Sequence, residues 1–155
     1  MSYRVTGIDP APFRHLYGMS DDALRSHGAI RYTVDAHPGY PDRVELRDLE
    51  PGDSVLLVNY THQPAETPYR ASHAIFVLEG AERAATFVGE LPPMLRRVPM
   101  SLRSFDAGHL MVDGRVVEGD DVEDAVHQLL ARGEVAYIQA HYANRGCYAA
   151  RIERA

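Results

Sequence analysis

The spacing of apolar residues changes period along the chain, and each change marks an element. From Ala29 onward Ile30, Tyr32 and Val34 alternate with polar residues, which predicts a strand. Arg43 to Arg47 also alternates and predicts a strand that turns Val44 and Leu46 to the core. Ser54 to Tyr60 is apolar on both faces, the pattern of a central strand, and His73 to Leu78 reads as another. Parity puts Leu56, Val58 and Tyr60 on one face, joined by His62 if the strand persists. Asn59 shares the other face with Val55 and Leu57, as a buried amide or a pocket residue. Later the period lengthens: Val122, Ala125, Val126, Leu129 and Leu130 follow the i, i+3, i+4, i+7, i+8 spacing of an amphipathic helix.

Cap and turn residues punctuate this pattern. Residues 3–8 suit a short strand, after which Asp9-Pro10 opens a short helix reaching Tyr17. Ser20-Asp21-Asp22 starts a second one, stopped by Gly28. Asp120 and Glu123 resemble a capping box ahead of the long helix, which Gly133 ends. His37-Pro38-Gly39-Tyr40 and Glu50-Pro51-Gly52-Asp53 each suit a type II turn, with proline second and glycine third. Residues 89–99 are proline-rich and irregular and run into a strand ending at Phe105. Asp113-Gly114 suits a type I′ turn in a hairpin over residues 109–118, and Asn144-Arg145-Gly146 centres another near the end. The expected class is α+β: a mainly antiparallel sheet curled toward a barrel, one long helix in the C-terminal half and two short N-terminal helices. All of it is expected in a single domain, residues 1–155.

Composition narrows the function classes. The net charge is −6, so the chain as a whole repels polyanions; the only local basic cluster is Arg96, Arg97 and Arg103, and no nucleic-acid partner is expected. The sixteen basic residues are all arginine, which removes lysine Schiff-base and amine-nucleophile chemistry. One cysteine, Cys147, rules out an intrachain disulfide and a thiolate-rich zinc site. No apolar run approaches the ~20 residues of a membrane span. The first residues lack a signal-peptide core, so a cytoplasmic location is expected, with no membrane partner. Gly-rich phosphate loops, dinucleotide fingerprints and G-x-S-x-G elbows are absent.

PGYP, an arginine-led segment and then VLLVNYTHQPAETPYRASHAIFV together resemble a bacterial family catalogued as domain of unknown function 1203. The similarity extends over most of the chain and includes the late Gly146-Cys147 pair. The resemblance implies no activity, because the family carries none. It does imply a cysteine directly after PGYP, where this chain has Asp42, so chemistry that needs two cysteines is not expected here.

The candidate site follows from stiff loops that carry polar side chains beside a buried strand. A pocket formed by the PGYP and HQPAETPYR segments would use Tyr40, Arg43, Tyr60, His62, Tyr69, Arg70 and His73. An arginine fork matches a carboxylate or phosphate, while Tyr and His add directional bonds, so a small anionic metabolite is the expected ligand. The same side chains could instead brace the loops by bonding backbone carbonyls. Two enzyme readings stand as alternatives. His62, His73 and His141 with Asp42 could hold a metal, although their spacing matches no short metal motif, and neither a metal nor a cofactor is assigned. Cys147 could act as a nucleophile if the hairpin register sets it diagonally from His141; pairing with Tyr142 would put the two on opposite faces. A third alternative is a homodimeric interaction module joined through a sheet edge.

Overall fold

The computed structural model describes residues 1–155. Its strands are β1 (Tyr3–Thr6), β2 (Ile30–Thr33), β3 (Ser54–Gln63), β4 (Ala71–Leu78), β5 (Thr86–Val88), β6 (Met100–Phe105), β7 (Met111–Val117), β8 (Tyr137–Tyr142) and β9 (Tyr148–Arg154). The α-helices are α1 (Asp21–Ser26) and α2 (Val122–Leu130), and a 3₁₀ turn covers Ala11–Leu16. The strands make two open antiparallel sheets rather than one curled toward a barrel. Six strands run in the order β5-β1-β9-β8-β6-β7 and three in the order β2-β3-β4. No helix is long and apolar enough to cross a membrane.

Each sheet packs one face in a core of its own, and Val55, on the other face of β3, is buried with Val34 and Leu49 in a third small cluster. The stripe of α2 (Val122, Val126, Leu129, Leu130) packs on Val5, Leu102, Ile138 and Ile152 of the large sheet. Fully burying a side chain of this size contributes about 2 kcal/mol. The small sheet packs Leu56, Val58 and Ile75 against Phe13, Leu16 and Leu24. Tyr148 of β9 enters this second core, so β9 serves both layers.

The PGYP segment departs most from its pattern. Val44 and Leu46 are fully buried, as alternation requires, yet the backbone around them is a turn. The Asp42 N–H donates to the Arg47 carbonyl at 2.9 Å, and Leu46 takes a positive φ of 55°. Val44 enters the small-sheet core while Leu46 enters the large-sheet core, and that double anchoring holds leucine in a backbone region it rarely adopts. Gly7 makes room for the turn, since a Cβ there would stand 2.1 Å from the Val44 carbonyl oxygen. Periodicity reports which side chains are buried; it does not distinguish a strand from a turn pinned at two points.

Turn expectations divide by local bonding. Gly52 takes φ 95° and Asp53 N–H donates to Glu50 O, as a type II turn demands. Gly39 does not take a positive φ, so the turn expected at His37–Tyr40 does not form. Asp113 and Gly114 lie within β7 opposite Ser104 and Arg103. That hairpin turns instead at Asp106–Leu110, where the Asp106 carboxylate accepts from Gly108 and Leu110 N–H. Ser20 caps α1 by accepting from Ala23 N–H. No capping box forms at α2, because Glu123 binds the Tyr3 hydroxyl and Arg96 instead.

Candidate functional site

Arg43 anchors the first of two polar regions. Its residue is 2% exposed, and its guanidinium donates to Tyr148 O at 2.9 Å, Pro41 O at 2.6 Å and Cys147 Sγ at 3.3 Å. It lies 5.2 Å from the centre of the Tyr142 ring. No carboxylate pairs with it. Asp42 is buried beside it in sequence, yet both its oxygens accept from backbone, at Glu45 N–H (2.6 Å) and Leu78 N–H (2.8 Å). Burial pushes the Asp42 carboxyl up against the pull of those bonds.

Around Arg43 opens a cleft of about 680 Å³. One wall is the β8–β9 turn, with Tyr142, Arg145 and Cys147; the other carries Tyr40, Phe76 and His73, and Arg97 stands at the rim. Arg97 is held by Asp48 at 2.9 Å, whereas Arg145 is exposed and in no ion pair. None of the residues lining the cleft is acidic. The Tyr142 hydroxyl is buried without a hydrogen-bond partner, and burial pushes its pKa up to about 12, so it stays a donor at neutral pH. A second, more open hollow of about 700 Å³ lies at Arg14, Tyr17 and Gly80–Arg83. There Arg14 already serves the Glu82 carbonyl, and the Glu82 side chain adds an acidic wall.

The turn that shapes the cleft also settles the register. His141 pairs with Tyr148, and Tyr142 N–H donates to Cys147 O. Gly146 supplies the positive φ of 77° that closes the loop. Cys147 and His141 therefore point to opposite faces, and the Cys–His pair considered for a thiol enzyme does not form.

On the opposite face of this hairpin the second polar region joins the two sheets. Gln139 Oε1 lies 2.7 Å from His62 Nδ1 and 3.3 Å from His141 Nε2, and its amide donates to His62 O at 2.8 Å. His141 Nδ1 is 2.9 Å from Gly146 O. Burial lowers the His141 pKa to about 3, and the ring is neutral with one proton. A carbonyl oxygen only accepts, so His141 Nδ1–H donates to Gly146 O and His62 Nδ1–H donates to Gln139 Oε1, while the bare His141 Nε2 makes no hydrogen bond to that same oxygen. Burial lowers His62 as well, and its ring stacks on Tyr148 at 5.4 Å.

The sequence-derived candidates thus separate. Tyr40, Arg43 and His73 line the cleft. Tyr60, His62, Tyr69 and Arg70 do not, so the HQPAETPYR segment does not form this pocket. Tyr60 packs on Phe13 and Tyr148; Tyr69 meets Phe105 edge-on; the Arg70 guanidinium braces its own loop on the Pro64 carbonyl. Asn59 is exposed, neither buried nor in the cleft. The four proposed metal ligands scatter: Asp42 holds backbone, His73 faces the cleft and His62 and His141 share the seam, with no group of three able to hold one ion. The basic cluster also splits, with Arg96 on Glu123, Arg97 on Asp48 and Arg103 half-buried beneath the β8–β9 turn.

Sequence reasoning left out Tyr142, Arg145 and Gln139 as site residues and named Arg97 only within the basic cluster. The available signal for the first two was the hairpin register, which brings the β8–β9 turn back to Arg43. Arg97 and Gln139 carry no local signal, because their partners are 49 and 77 residues away.

Residues 39–154 match the model of a family described as Protein of unknown function (DUF1203), and the chain belongs to that family. No curated protein and no solved structure matches it.

Proposed function

We propose that the chain works as one domain that binds a small anionic ligand in the Arg43 cleft. One observation carries the reading: in a chain of net charge −6, a single cleft gathers three arginines and a histidine, and only Arg97 among them is paired with a carboxylate. A ligand carboxylate or phosphate would meet exposed Arg145 first and, on entering, the buried Arg43 guanidinium and the unpartnered Tyr142 hydroxyl, all donors. Apolar residues, among them Leu57, Ile75, Phe76 and Val98, make up much of the remaining wall, so the ligand carries an apolar body behind its anionic end.

The test is thermal unfolding with benzoate, phenyl phosphate, inorganic phosphate and uncharged benzamide. At ~100 times its dissociation constant a bound ligand stabilises by about 2.7 kcal/mol, a rise of roughly 5–10 °C for a chain of this size. Benzoate and phenyl phosphate should raise the midpoint, benzamide should not, and Arg145→Ala should abolish the rise. Equal effects of benzoate and benzamide, or no effect of either anion, would remove the proposal.

A further inference from the structure

The cleft runs along an open strand edge. β4 pairs with β3 on one side only, being terminal in its sheet. The bond from Glu79 N–H to Ser54 O fixes the phase of that ladder. Residues 73, 75 and 77 then bond inward to β3, while 74, 76 and 78 present N–H and C=O outward. The outward groups are consumed in part by the PGYP segment: Phe76 O accepts from Arg43 N–H at 3.1 Å, and Leu78 N–H donates to Asp42. Ala74 lies just before this cover. Its carbonyl meets only the neighbouring His73 ring, at 3.1 Å, and its N–H faces outward. The cleft is lined from both faces of the strand, by His73 and Ile75 on one and Ala74 and Phe76 on the other, so the edge itself is its floor.

We infer that the anionic ligand is the carboxyl end of an extended peptide, added as a short strand on the Ala74 edge. This rests on the anion-binding reading above and names its ligand class. The free carboxylate would meet Arg145 and the Arg43 end of the cleft, and a backbone amide a residue or two upstream would bond Ala74. The terminal side chain would lie on the Leu57–Phe76 wall, the division of labour usual in strand addition. Charge complementarity selects a carboxylate end over any internal neutral segment, because Arg43, bonded through its N–H to Phe76 O, stands at the covered end of the edge and Arg145 lines the same cleft.

Fluorescence anisotropy with a pool of N-terminally labelled hexapeptides, apolar in their last four positions, tests this against the same pool with amidated ends. Free acids should bind about tenfold or more tightly than amides. Ala74→Pro removes one outward donor and leaves the β3 ladder intact, since proline is tolerated where the N–H faces away from its sheet. It should weaken the peptides about tenfold. N-methylation of successive peptide amides reads the same edge bond without altering the protein, and one position should lose binding sharply. Benzoate binding without peptide binding would overturn the peptide proposal and leave the anion site standing. Failure of both would overturn both. A dimer in sedimentation that Ala74→Pro converts to monomer would assign the edge to a second copy of the chain and overturn the peptide assignment.

Discussion

The Arg43 cleft and the His141 seam occupy opposite faces of the β8–β9 hairpin, and both are rich in groups that commonly build sites. They differ in whether those groups are satisfied. In the seam, Gln139 serves His62 twice, and His141 spends its one proton on Gly146. In the cleft, Arg43 bonds two carbonyls and the Cys147 sulfur but no carboxylate, Arg145 is exposed without an ion pair, and the buried Tyr142 hydroxyl has no partner. Buried polar groups in folded proteins are nearly always paired, so the one buried exception in the cleft, the Tyr142 hydroxyl, calls for an explanation where the pairs of the seam do not. A polar network that satisfies itself glues the two sheets together. One that does not is available to something else.

The sharpest way to break this comparison is to remove the seam's central amide. Gln139→Leu leaves His62 Nδ1 and His62 O without their partner inside the structure. Each stranded group costs about 1–3 kcal/mol, so the variant should lose roughly 3 kcal/mol, or about 10 °C in midpoint. Urea unfolding measures it. A loss under about 0.5 kcal/mol would mean that the seam is as loosely held as the cleft.

Acid sensitivity gives the next largest effect. The folded pKa of His141 lies near 3 against an ordinary 6.5, so between these values the unfolded chain binds more protons than the folded one. Stability is therefore full above about pH 6.5 and falls as the pH drops toward 3, by up to about 1.4 kcal/mol per pH unit from this group. His62 shifts in the same direction and adds to the loss. A second decline begins lower. Glu79, held at about 2 by the two-pronged Arg31 bond, loses its contribution as the pH falls from 4.5 toward 2. His141→Gln should flatten the first decline and leave the second. An unchanged profile above pH 4.5 would place the titrating group elsewhere.

How much of the contrast could be read from the chain depends on how far apart the partners stand. Burial at Val44, Leu46, Leu56 and Val58 followed from period alone, because each side chain needs only to know which face is the core. The Gly52 and Gly146 turns followed from local chemistry. The seam did not, since Gln139 meets His62 across 77 residues, and nothing near either says that the two will pair. For the same reason Arg70 and Arg43 look alike as sequence, each within three residues of a proline and a tyrosine. Only tertiary structure shows that Arg70 ends on its own loop while Arg43 crosses to β9. The register of one hairpin then decides the rest, placing Cys147 and Tyr142 with Arg43 and His141 with His62.

The smallest expected effect is the most discriminating. Tyr142→Phe deletes a buried hydroxyl that has no partner, so its removal strands nothing and lifts the burden of holding a polar atom away from water. Stability should stay level or rise by up to about 1 kcal/mol, opposite in sign to the seam variant. Affinity for benzoate should fall about tenfold, because the phenol, kept protonated by burial, is one of the donors offered to the anion. The two readouts must diverge for the comparison to hold. A variant that loses stability in proportion to affinity would show the hydroxyl already satisfied in the free protein, and the cleft would then differ from the seam in location alone.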